Sequence, residues 1–227
     1  MTEQGPKDRP ERPAAKVRDM PAPRKTRGIV GPAMRFIFSW PYRLALAGLY
    51  RSGVRPWQLT VASLATNVVV GWLLLTDRRF LPGALLVPAG LFDIFDGGVA
   101  RLRGEERRSG AFLDSVFDRI SDMVLFGCLY WSLAGQGRGL EAGLALATLV
   151  IALLVSHIRA EAESAGVSLT EGFFQRLERY LAMMIGLIVP GALLPALAVL
   201  VALGGVTVLQ RGWSAARRLA GRSTPVG

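Results

Sequence analysis

From Leu140 to Val155 the chain reads LEAGLALATLVIALLV, with Glu141 as its one charge. A run of this kind leaves few folds open. Inside a bilayer every peptide group must find its hydrogen-bond partner within the protein, so an apolar stretch of about 20 residues crosses as a helix. Six segments qualify as spans: 58–76, 80–100, 111–134, 139–160, 178–194 and 195–210. The last two are parted by Pro190–Pro195 (PGALLP), which reads as a tight turn between antiparallel helices. The expected class is an all-α integral membrane protein with six transmembrane helices.

Lys and Arg then set the orientation. They recur from Lys7 to Arg55 ahead of the first span and return as Arg101, Arg103, Arg107 and Arg108 after the second. Arg159, Arg176 and Arg179 follow the fourth, and Arg211, Arg217, Arg218 and Arg222 follow the sixth. The opposite loops hold only Arg78, Arg79 and Arg138. Both termini are therefore expected in the cytoplasm, with the protein multi-pass in the cell (plasma) membrane. The net charge of +10 belongs to these flanks, and no nucleic-acid motif accompanies it, so nucleic acid is not an expected partner. Cys128 is the single cysteine, which excludes a disulfide framework or thiolate metal site.

Residues 1–30 are basic, rich in Pro and lack the apolar core of a signal peptide, and they are expected to form a disordered cytoplasmic tail. Residues 31–56 mix Arg35, Arg43 and Arg51 with Phe36, Trp40, Leu44 and Leu49. They suit an N-terminal amphipathic helix lying at the membrane interface, with Pro41 as an irregularity. Residues 57–212 form the membrane domain, and 213–227 are expected to be a second basic tail. Trp72, Trp131 and Trp213 read as interface anchors, and His157 as a packed or interfacial residue.

Residues 93–118, DIFDGGVARLRGEERRSGAFLDSVFD, break the apolar rule. Asp93 and Asp96 are three apart at the end of the second span, and Asp114 and Asp118 are four apart at the start of the third. On helices each pair shares a face, and a short connection between antiparallel neighbours gathers all four carboxylates at the inner membrane surface. Such a cluster cannot stay ionised without compensation. Hard divalent cations supply it, and two Mg²⁺ ions would also bridge a diphosphate. Gly97 and Gly110 beside the acidic face suggest close approach by a ligand, and Arg101 suits a two-point grip on phosphate.

The pattern Asp93-x-x-Asp96-Gly97-x-x-Ala100-Arg101, eight residues, then Gly110-x-x-x-Asp114-x-x-x-Asp118 resembles the CDP-alcohol phosphotransferase signature. The likeness covers roughly residues 50–210. It implies transfer of a phosphatidyl group from CDP-diacylglycerol, or a related CDP-lipid, to a polar alcohol with release of CMP. It also implies Asp93, Asp96 and Asp114 as ligands of two Mg²⁺ (or Mn²⁺) ions, with Asp118 as a further ligand, the general base, or both. By the same resemblance Gly97, Ala100 and Gly110 clear space for the cytidine, Thr60 lies near the nucleotide, Arg101 holds the donor phosphates, and the protein is a homodimer.

For the acceptor, residues 156–180 are similar to a segment of bacterial phosphatidylinositol-phosphate synthases, in which Arg159, Arg176 and Arg179 keep basic positions able to bind the phosphate of inositol phosphate or glycerol 3-phosphate. Glu161, Ser168, Gln175 and Leu177 depart from that segment. Two rivals compete: a membrane prenyltransferase acting on a diphosphate, and a non-enzymatic cation transporter. The first normally has more spans and other aspartate spacings. The second requires acids spread across membrane depth, whereas these lie at one face.

Overall fold

In a computed structural model, every regular element of the described residues is α-helical. The described residues are 17, 20, 31–76, 78–105, 108–167 and 176–220, without the side chains of 31–38 and 108. Seven helices follow one another: α1 (Gly31–Arg51), α2 (Pro56–Leu74), α3 (Phe80–Arg103), α4 (Arg108–Gly135), α5 (Gly139–Ser164), α6 (Arg176–Ile188) and α7 (Leu193–Ala220).

Local chemistry sets several of these limits. Pro56 opens α2, where the lost amide is not needed, and Gln58 accepts a hydrogen bond from the Arg55 amide at 2.8 Å. Gly104 ends α3 at φ 65°, a left-handed conformation that glycine adopts without penalty. Gly191, at φ 78°, does the same in the turn between α6 and α7. That turn occupies 189–192, so Pro195 lies in the first turn of α7 and not in the connection.

Among the described residues, four helices are long and apolar enough to cross a membrane: α2, α3, α5 and α7. Two expected spans fall outside that group for visible reasons. Asp114, Asp118, Arg119 and Asp122 load the first half of α4, and α6 has 13 residues. Helix α1 runs unbroken through Pro41. Helix α7 continues to Ala220, so residues 213–220 of the expected tail are helical, and Arg211 is buried in it, donating to the Val155 carbonyl at 3.1 Å. Of the expected N-terminal tail, Met20 is buried with Tyr42, Leu46, Phe95 and Val99. The rest of 1–30 apart from Val17, and residues 221–227, lie outside the described residues.

The main core is built from α2 to α7, with Val70, Leu86, Leu125, Phe126, Met183, Leu197 and Leu200 at its centre. Helix α2 packs against both α3 and α4, α5 lies between α4 and α7, and α6 bridges α3 and α7. Glycine makes the tightest crossings possible: a Cβ on Gly71 would stand 2.5 Å from Val124 Cγ1, and one on Gly204 2.6 Å from Ile151 Cγ2. A smaller cluster seats α1 on α3, with the Tyr42 and Phe95 rings stacked at 5.2 Å.

Gly71→Val should force α2 from α4 and cost about 1–3 kcal/mol by overpacking. Thermal unfolding in detergent checks it, with Gly143→Ala as control, because a Cβ there meets nothing within 4 Å. Equal melting temperatures for Gly71→Val and the parent would show the crossing to be loose.

Candidate metal centre

Two helices supply the acids. Asp93 and Asp96 leave α3 one turn apart, and Asp114 and Asp118 leave α4 one turn apart. Carboxylate oxygens of Asp93, Asp114 and Asp118 lie within 4.8 Å of one another, close enough to share a cation. Asp96 is oriented differently. It is 6% exposed, accepts a hydrogen bond from the Thr60 hydroxyl at 2.8 Å, and takes another from the Gly97 amide. The expected meeting of antiparallel neighbours is thus indirect, since the main packing partner of α3 is α2, and Thr60 of α2 fixes Asp96.

The donor set is chemically that of a hard cation: carboxylate oxygens with no thiol or imidazole. Asp114 Oδ1 is buried without a hydrogen-bond partner, an arrangement that a bound cation would relieve. Compensation among the described residues comes from α6. Arg176 donates from one nitrogen to both Asp93 and Asp118 and from the other to the Tyr180 hydroxyl at 3.2 Å. Its guanidinium lies 5.1 Å from the centre of the Tyr180 ring. Tyr180 donates to Asn67 Oδ1 at 2.8 Å, Asn67 donates to the Ser63 carbonyl at 2.9 Å, and Ser63 donates to the Ala89 carbonyl at 2.9 Å.

The three acceptor arginines separate. Only Arg176 reaches the carboxylates. Arg179 is buried and pairs with Asp122 at 2.7 Å, while Arg159 is exposed and pairs with Glu163 at 2.8 Å. Ser168 and Gln175, which bear on the same segment, lie outside the described residues, as does Arg107. His157 is exposed, as are Trp72, Trp131 and Trp213.

On the nucleotide side, an added Cβ at Gly110 would meet nothing within 4 Å, and at Gly97 only Arg101, at 3.4 Å. Both positions are open. Ala100 is half-buried one turn beyond Asp96. The close approach is at Gly98, where a Cβ would stand 2.5 Å from the Tyr42 hydroxyl. Burial pushes the Tyr42 phenol up, and the nearby Arg101 charge opposes that shift.

Sequence reasoning missed Tyr42, Asn67, Tyr180 and Asp122. Asp122 extends the four-residue spacing of Asp114 and Asp118, a signal that was available. The other three have no local signature, because each is defined by a partner on another helix.

A family model described as CDP-alcohol phosphatidyltransferase matches residues 54–210. The phosphatidylinositol phosphate synthase of Mycobacterium marinum is 37% identical over 141 residues, which are 61% of this chain and 60% of that protein. The alignment thus spans less than two thirds of that relative's length. Two crystal structures of Mycobacterium tuberculosis phosphatidylinositol phosphate synthase are also similar, each at TM-score 0.68 and 31% identity over 75% of this chain. One, covered to 91%, has CDP-DAG bound; the other, covered to 87%, is a complex with manganese and citrate.

Arg179→Met should cost about 3–5 kcal/mol of stability by stranding buried Asp122. Adding Asp122→Leu should recover most of the loss. Unfolding in detergent measures both, and an undiminished single variant would deny the pair a structural role.

Proposed function

The chain belongs to the CDP-alcohol phosphatidyltransferase family, and from that premise we propose that it transfers a phosphatidyl group from CDP-diacylglycerol to inositol phosphate, releasing CMP. The observation that carries the reading is the convergence of Asp93, Asp114 and Asp118 within 4.8 Å, on the spacing of the family signature. The likeness to proteins that bind CDP-DAG and manganese supports it.

In this reading Asp93, Asp96 and Asp114, with Asp118, hold two divalent ions, Mg²⁺ or Mn²⁺. Such ions, when bound, neutralise the diphosphate and align it for attack. Thr60 anchors the Asp96 carboxylate, and Arg101 grips the donor phosphates, with Gly97, Ala100 and Gly110 leaving room for the cytidine. Asp118, the more exposed of the cluster's α3–α4 pair with Arg176, takes the proton of the attacking hydroxyl. The acceptor phosphate falls to Arg176 and Arg159, since Arg179 is committed to Asp122.

The membrane arrangement belongs to the same proposal. Helices α2 to α7 cross the bilayer, α1 lies along its cytoplasmic face, and the site opens to the cytoplasm near both termini. A lipid donor then keeps its acyl chains in the membrane while a polar acceptor arrives from solution. The membrane domain comprises 57–212, and the protein works as a homodimer. Glycerol 3-phosphate is the second acceptor reading, favoured by Glu161, which stands where the resembled synthases carry a basic residue.

Purified protein with CDP-diacylglycerol and Mg²⁺ should release CMP when given inositol phosphate. Release only with glycerol 3-phosphate would select the second acceptor, and none with either, or with inositol or serine, would overturn the donor assignment. Asp118→Asn should lower kcat by about 10²–10⁴-fold, the usual worth of a general base. Asp114→Asn should abolish turnover, and near-normal rates would remove Asp114 from the metal site.

A further inference from the structure

Three carboxylates that share 4.8 Å repel one another before any cation arrives, and the fold already contains an answer. We propose that Arg176 is the built-in counter-ion of the metal-free cluster, aimed there by Tyr180 and Asn67, and that divalent cations displace it and so free it for the acceptor's phosphate. The inference rests on the reading of the cluster as a cation site.

The hydrogen-bond directions carry the argument. Arginine has donors and no acceptor, so its bond to Tyr180 uses an oxygen lone pair of the phenol. The phenol proton is thereby committed to Asn67 Oδ1, and the Asn67 amide to the Ser63 carbonyl. Asn67 is 0% exposed and Tyr180 6%, so neither can trade these partners for water. The chain has one self-consistent orientation, and it ends on the backbone of α2. Tyr180 therefore holds one terminal nitrogen of the guanidinium, whose carbon lies 5.1 Å from the ring centre, leaving the other terminal nitrogen on Asp93 and Asp118.

Cations claim the same lone pairs. A dication bound through Asp93 and Asp118 oxygens at about 2.0–2.1 Å excludes a guanidinium from those atoms by both space and charge. Arg176 does not then drift away, because its other terminal nitrogen remains on the Tyr180 hydroxyl. It stays at the border of the cluster with a donor pair exposed, the geometry suited to a phosphate dianion. Metal loading and acceptor binding thus become successive uses of one side chain.

Manganese binding to full-length protein in detergent, without nucleotide or acceptor, tests this through the free Mn²⁺ signal in electron paramagnetic resonance. Arg176→Gln should bind Mn²⁺ about tenfold more tightly than the parent, because its competitor is gone. Tyr180→Phe keeps the ring and drops only the hydroxyl. It should tighten Mn²⁺ roughly two- to fivefold and raise the acceptor KM with kcat little changed, since a loosened arginine both competes and grips less well. A purely structural Tyr180 would instead lower the melting temperature and leave Mn²⁺ affinity unchanged. Parent-like or weaker Mn²⁺ binding in both variants overturns the proposal. Absence of Mn²⁺ binding by the parent overturns the cation-site reading itself, a separate result.

Discussion

Mutual repulsion among carboxylates at the end of apolar helices is the constraint on which this architecture turns. Asp93, Asp114 and Asp118 stand within 4.8 Å, and nearby Asp96 is 6% exposed. Each acid is held differently. Thr60 and the Gly97 amide satisfy Asp96, while the Arg176 guanidinium bridges Asp93 and Asp118. Asp114 keeps one buried oxygen without a partner. The cluster as it stands holds more negative charge than the single Arg176 guanidinium offsets.

Helix α2 is the frame for this. It packs on α3 and α4, fixes Asp96 through Thr60, and terminates the polar chain from Arg176 through Asn67 and Ser63. Apart from Thr60, little of this is visible in α2 itself, which otherwise reads as an apolar span. Its polar side chains Ser63 and Asn67 are buried, and their cost is met by bonds to neighbouring helices and to backbone carbonyls. Glycines at the crossings, Gly71 above all, bring the helices near enough for those bonds to form.

What was legible in the sequence follows from what is local. Apolar run length predicts the helices, and α2, α3 and α5 start within a few residues of the expected spans. The aspartate spacing predicts an acidic face on each helix; Asp114 and Asp118 of α4 meet Asp93 of α3 in one cluster, whereas Asp96 is held by Thr60. Charge and helix length were harder to weigh together: the acids that identify the site also remove α4 from the helices that qualify as spans on apolarity alone. The arginines of residues 156–180 looked equivalent in one dimension, yet Arg176, Arg179 and Arg159 face the cluster, Asp122 and solvent respectively. A helix phase relative to distant partners decides this, and no window of sequence contains it.

Tyr42 and Gly98 come from helices separated by long stretches of chain, yet a methyl group at 98 would stand 2.5 Å from the Tyr42 hydroxyl. The phenol cannot simply retreat, because its ring is buried and stacked on Phe95. Neither position can drift alone. A larger side chain at 98 is tolerated only after 42 has shrunk, and a shrunken 42 leaves a hole beside Asp96 and Arg101 until 98 grows. The two positions are therefore sterically coupled, and a change of size at one is felt at the other.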